Sequence, residues 1–238
     1  MAFTTKDVVK LRKLTGAGMM DCKNALKDAD GNFDRALEII REKGKLIANK
    51  RADREAAEGV VLAKVSDDKK LGALVVLNCE TDFVAKNENF VAFADSILDV
   101  TQKKKPENLE ALKELDLDGR SIDKQVTEQT GVIGEKLELS FYAKVEAEAV
   151  VAYIHPGNKL ATLVGFNKEG VEVQVAKDVA MQAAAMSPIA IDKDDVPAEV
   201  IEKEKALGRD KALAEGKPEN IVDRIAEEMV NKFVKENT

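Results

Sequence analysis

Cys79 and Glu80 stand side by side, followed by Thr81, Asp82 and Phe83. A thiol beside a carboxylate could act as a nucleophile with a base. The electrostatics oppose it, because a neighbouring negative charge raises a thiol's pKa and depletes the thiolate that reacts. A Ser-His-Asp or Cys-His enzyme would have to use His155, the single histidine, and Pro156-Gly157 beside it has the composition of a hairpin turn. Cys22 and Cys79 are the two cysteines, and their separation matches no metal-ligand spacing. The chain carries neither a G-x-x-x-x-G-K-[ST] loop nor a G-x-G-x-x-G turn, and Gly16-Ala17-Gly18 is too short to cradle a phosphate. Paired carboxylates carry little information among 44 acidic residues. The expectation is a chain with no cofactor or metal of its own, acting by contact rather than by covalent chemistry.

What remains distinctive is Thr81-Asp82-Phe83-Val84. An apolar run over 71–77 reads as a buried strand, and from Phe90 to Val100 apolar residues recur at helical spacing. The motif therefore falls at a strand-to-helix corner, with Thr81 able to cap the following turn. A large ring beside a carboxylate at such a corner is either a staple into its own domain or a wedge for a partner.

Short helices are expected over 5–14, 19–29 and 33–43. Val8, Leu11 and Leu14 would face inward on the first, and Met19, Cys22, Leu26 and Ala29 on the second. Gly44 reads as the stop of the third. Met19 and Met20 cannot both face inward on one short helix, so at least one is exposed. The charged, Pro-free stretch 45–57 reads as a helical linker. Beyond it, residues 60–78 and 150–167 read as two β-hairpins, with Lys, Leu, Leu, Val and Asn recurring at an offset of 89. A helix follows each, over 87–100 and 171–186. Helical pieces near 108–114 and 121–129 and a strand over 135–141 lie between the copies. Residues 198–215 and 219–236 read as a helical hairpin turned by Gly216-Lys217-Pro218. Its apolar stripes are Val200, Leu207 and Leu213, then Ile221, Val222, Ile225, Met229 and Phe233.

The fold class is α+β: a three-helix domain (1–45), a helical linker (46–58), duplicated core subdomains of antiparallel hairpins with helices (59–142 and 143–196), and a helical hairpin (197–238) that is either a projecting arm or two helices packed flat on the body. With 45% apolar and 4% aromatic residues and no Trp, the core must be built from Val, Leu, Ile and Ala. A net charge of −7 argues against general nucleic-acid binding, which needs a basic face. Charge is uneven: residues 1–57 hold 13 basic and 9 acidic side chains, the rest 24 and 35. No stretch approaches 18 consecutive apolar residues and no secretory signal is visible, so a cytoplasmic chain with reduced thiols and no membrane partner is expected.

V-x-x-L-R-x-x-T-G-A-G-M-M-D-C-K-x-A-L, from Val8 to Leu26, together with Thr81-Asp82-Phe83-Val84-Ala85-Lys86-Asn87 and Phe90, closely resembles the bacterial-type elongation factor Ts family. Val132-Ile133-Gly134-Glu135, His155-Pro156-Gly157 and Gly216-Lys217-Pro218 fall where that family has similar segments, so the match spans nearly the whole chain. The resemblance implies a ubiquitin-associated-like N-terminal domain, a coiled-coil arm, and guanine-nucleotide exchange on elongation factor Tu, with GDP bound or nucleotide-free. It assigns Thr81, Asp82, Phe83 and Val84 to the partner's GTPase domain. Phe83 would wedge near the nucleotide, and Asp82 would help dislocate the elements that position Mg²⁺. Arg12, Met19 and Met20 match positions touching the same domain. Ile133, Gly134 and His155 match further contacts, the last toward another domain of the partner. Related chains usually continue after the arm with strand-forming sequence and a terminal helix, so an uncovered sheet edge is expected in the second subdomain. Two other readings compete: a binding adaptor without exchange activity, and a thiol enzyme built on Cys79. The apolar faces of the arm permit self-association without establishing it.

Overall fold

The computed structural model describes residues 3–238. Helices alternate with small antiparallel sheets, an α+β architecture. The chain divides into two compact units, the first reaching Ala180 and the second Met181–Thr238.

The first unit opens with α1 (Thr5–Thr15), α2 (Met19–Asp28) and α3 (Phe33–Lys50). Thr4 caps α1 in a reciprocal box with Asp7, and Asn32 caps α3. Leu11, Cys22, Leu26 and Ala36 are buried between them. Several expectations fail here. Leu14 is 58% exposed, because each three-residue step turns a side chain back by about 60° and carries it off the inner face. Met19 is also exposed: it is the first residue of α2, and the inner stripe starts at Cys22. Nor does Gly44 stop α3, which runs on to Lys50. Gly44 lies against Gly131 of α7 (Ile122–Ile133), and a Cβ on Gly131 would come within 2.1 Å of the Gly44 Cα. The glycine serves a close helix crossing, and the stretch expected as a linker is helical only as far as Lys50.

β1 (Glu58–Val65), β2 (Leu71–Cys79) and β5 (Glu138–Glu146) form an antiparallel sheet in the order β1-β2-β5. β3 (Asp116–Leu117) and β4 (Arg120–Ser121) are a two-residue ribbon. α5 (Glu88–Lys104) packs on the sheet, with α6 (Leu109–Glu114) and α7 closing the core around Phe90, Ile97, Leu112 and Ile122. The strand expected over 135–141 begins later. The Lys136 N–H is taken by Glu80 and that of Leu137 by the Thr130 hydroxyl, so these residues do not join β2.

The second hairpin, β6 (Ala149–Ile154) and β7 (Ala161–Phe166), repeats the first at the offset of 89 residues. Leu62 pairs with Val75, and Val151 with Val164. Their turns match as well: Lys69 and Asn158 both have positive φ, and Ser66 N–H to Leu71 O and His155 N–H to Leu160 O are both 2.8 Å. Each hairpin also donates to the turn of the other, Val61 N–H to Asn158 O (2.8 Å) and Val150 N–H to Lys69 O (2.7 Å). α8 (Val173–Met186) follows, burying Ala176 and Ala180.

In the second unit, α9 (Ala198–Ala214) and α10 (Glu219–Asn237) run as a hairpin. Gly216 N–H to Leu213 O and Lys217 N–H to Ala212 O close α9, and Pro218 starts α10. The seam is not the expected Leu207 and Leu213, which are exposed. It is made by small residues: Gly208 faces Ala226, with Ala212 and Val222 buried beside them. Close approach of two backbones leaves no room for leucine at the crossing.

Candidate partner-contact site

β2 ends at Cys79, and two residues later the chain turns into α4 (Asp82–Ala85), a four-residue helix. Thr81 caps it, but the Val84 N–H reaches the Thr81 Oγ1 only at 3.5 Å. The hydroxyl is directed elsewhere. Thr81 Oγ1 donates to Glu135 Oε1 at 2.7 Å, and the Thr81 N–H donates to Glu135 Oε2 at 3.0 Å. Glu80 accepts from Lys136 N–H (2.6 Å) and Arg51 Nη1 (2.6 Å), with Arg54 Nη1 at 3.4 Å. The Lys136 amide, followed by Arg51, holds the Glu80 carboxyl below its ordinary range.

On this base Ala85 is buried and Val84 packs against the core. Phe83 points out, 83% exposed. Asp82 pairs with Lys86 one turn on, at 2.7 Å, and that hydrogen bond keeps its carboxyl ionised below the usual carboxylate range. The staple reading of Phe83 is therefore excluded for the chain as it stands.

The surroundings of Cys79 disfavour the thiolate. Its Sγ is buried and donates to Thr81 O at 3.2 Å; burial first, then the Glu135 charge, pushes the thiol up to about 11. The carboxylates that oppose ionisation are Glu135 and then Glu58, while the adjacent Glu80 is turned to Arg51 and the Lys136 amide. Among the described residues no cluster of His, Cys, Asp or Glu could hold a metal ion.

Of the other expected contact residues, Ile133 and Gly134 join this corner; Arg12, Met19, Met20 and His155 do not line it. Ile133 ends α7, packed partly against the core, and Gly134 caps it in the left-handed region at φ 81°. Open space surrounds the position where a Gly134 Cβ would stand. Glu135 follows directly, so the clasp on Thr81 joins this turn to α4. The turn after α1 also meets α7: a Cβ on Gly16 would touch Val132 at 3.4 Å. Leu14, Phe83, Phe90, Phe93, Val132 and Ile133 line one open groove. Arg12, Met19 and Met20 flank the α1–α2 turn and are exposed, Met20 at 64%. His155 sits in the second hairpin's turn with Nδ1 2.8 Å from the Tyr153 hydroxyl. That turn lies at the same end of the sheets, since Lys159 pairs with Glu58, which stands opposite Cys79.

Sequence reasoning missed Leu14, Val132 and Phe93 as groove walls, and Glu80 and Glu135 as anchors. The signal for Glu135 was thin: an acid after a helix-ending glycine, with its partner 54 residues away.

A family model described as elongation factor TS matches residues 80–238. Curated relatives named elongation factor Ts include one from Azobacteroides pseudotrichonymphae, 54% identical across the whole chain and 86% of the relative's length. One from Porphyromonas gingivalis is 51% identical, again across the whole chain and 86% of its own. One from Amoebophilus asiaticus is 51% identical, covering the whole chain and 87% of the relative.

Proposed function

The chain belongs to the elongation factor Ts family, and from that premise we propose that it is a guanine-nucleotide exchange factor for elongation factor Tu, promoting GDP release by protein contact alone. The observation that carries this reading is Phe83. An aromatic ring exposed at the tip of an anchored four-residue helix gains its burial energy only from another molecule. Nucleotide held at nanomolar affinity is bound by about 12 kcal/mol, so unassisted release is slow. A factor that prefers the nucleotide-free partner lowers nucleotide affinity by the same coupling. An apolar wedge suits this task, because it is buried only when the partner opens. It needs no proton, nucleophile or metal from the factor.

In this reading Thr81, Asp82, Phe83 and Val84 meet the GTPase domain. Phe83 enters beside the nucleotide, and Asp82, ionised beside Lys86, disturbs the elements that hold the partner's Mg²⁺. Arg12, Met19 and Met20 add contacts from the α1–α2 turn. Ile133 and Gly134 extend the Phe83 surface, and His155 reaches a different domain. The matching register and turns of the two hairpins support a duplicated core beneath this surface. The helical hairpin of the second unit is read as the arm.

The test is release of a fluorescent GDP analogue from elongation factor Tu at excess unlabelled GDP. Acceleration by the wild-type chain, cut but still measurable in a folded Phe83→Ala variant, is the expected result. Binding without acceleration would replace the reading with the adaptor. Full activity of Phe83→Ala at unchanged affinity would refute the wedge.

A further inference from the structure

Glu80 and Glu135 bind crosswise. Each carboxylate accepts the backbone N–H of the residue that follows the other: Glu80 takes Lys136, and Glu135 takes Thr81. Glu135 also takes the Thr81 hydroxyl, and Glu80 the guanidinium of Arg51, the residue that caps α3. Neither segment can shift without breaking bonds to both. These are charge-assisted hydrogen bonds in a partly buried setting, where they are stronger and more directional than neutral ones.

A helix of four residues has no stability of its own, since nucleation is not repaid over so short a length. Its own cap is weak, because the Thr81 hydroxyl donates outward to Glu135. The geometry of α4, and with it the direction in which Phe83 points, therefore depends on the two carboxylates. Because Glu135 directly follows Ile133 and Gly134, the same clasp fixes the α7 turn relative to the ring.

We infer that Glu135, with Glu80, is a positioning residue: it touches no partner but locks the Phe83 helix and the Ile133–Gly134 turn into a single preorganised contact surface. This rests on the exchange reading above for its functional consequence. Preorganisation of this kind raises effectiveness by removing the ordering cost at the moment of contact.

The experiment is a double-variant cycle on full-length protein with two readouts. Amide hydrogen exchange at Thr81 and Lys136 reports the clasp itself; stimulated GDP release reports its effect. Glu135→Ala, which removes both hydrogen bonds from Thr81, is expected to speed Thr81 amide exchange and to cut stimulated release, each by roughly tenfold or more. In a Phe83→Ala background the same change should lower release by less than about twofold, because residues acting as one unit are not additive. Glu135→Gln, which keeps a carbonyl for the Thr81 N–H, should recover most of both. Equal losses in both backgrounds would overturn the inference, as would an unprotected Thr81 amide in the wild type. If Glu135→Ala does not fold, Glu135→Gln and Thr81→Val, which retains the amide and removes the hydroxyl, carry the same cycle. If the wild type fails to stimulate release at all, the exchange reading falls, and the clasp is then decided by amide protection at Thr81 and Lys136 alone.

Discussion

Cys79 and Glu80 share a peptide bond and titrate in opposite directions. The thiol is pushed up to about 11 by burial, and the carboxyl is held low by an amide and a guanidinium. A thiol reagent at about pH 8 should therefore label Cys79 in the native chain on the order of 100-fold more slowly than in the unfolded chain, which mass spectrometry of timed samples would read. Cys79→Ala should leave GDP release intact; a large loss would revive the thiol reading. Gly134 gives a second test at this scale. Its φ of 81° strains any other residue, while the surrounding space is empty. Gly134→Ala should destabilise by about 1–2 kcal/mol through backbone strain, measured as a shift in urea midpoint. Phe83 was legible in the sequence because a ring between Asp82 and Val84 at an element junction is a local pattern. Glu135 was not, because its role is defined by a residue 54 positions away, and carboxylates are common.

Among the elements, hydrophobic periodicity located the helices and hairpins, and the 89-residue offset related the two hairpins from the residues alone. Periodicity could not say what a glycine was for. Gly44 near an apparent helix end reads as a stop until Gly131 is brought against it. Gly208 in the α9 seam was passed over for the same reason: leucines mark an ordinary helix contact, and only the pair of helices reveals one made by small residues. Alanine at an unhindered helix position gains about 1 kcal/mol over glycine. Gly131→Ala should reverse that sign and destabilise by about 1–3 kcal/mol, because its methyl would lie on the Gly44 backbone. Equilibrium unfolding of Gly131→Ala, with an exposed helical Gly→Ala control from another protein, would check the sign. A stabilised Gly131→Ala would mean that the crossing is looser than drawn.

At the scale of the whole molecule, stability should fall at both ends of the pH range. Glu80, Asp82, Asp68 and Glu169 lie below the ordinary carboxylate range, held there respectively by the Lys136 amide, Lys86, the Ser66 hydroxyl and Lys70. The unfolded chain binds more protons at these sites, so their contribution is full above about pH 4.3 and is lost as pH falls through the folded values. Cys79 and Tyr142 work in the other direction. Burial raises them to about 11 and about 12, so the unfolded chain loses these protons first. Stability should drop from about pH 8.5 to 11, with the Tyr142 contribution following from about pH 10 to 12. Urea midpoints at about pH 8 and about pH 10.5 would show it, and Cys79→Ala should flatten the lower part of that slope. The reciprocal bonds between the hairpins, Val61 to Asn158 and Val150 to Lys69, bear on how the first unit is reached in time. Each hairpin can zip within microseconds, yet each leaves a backbone group unpaired until the other arrives from 89 residues away. Loop-closure entropy is spent before that meeting gives anything back, so the meeting is expected to be slower than the zipping of either hairpin. During synthesis the Val61 N–H of the first hairpin gains its Asn158 partner only after residues 149–166 have been made.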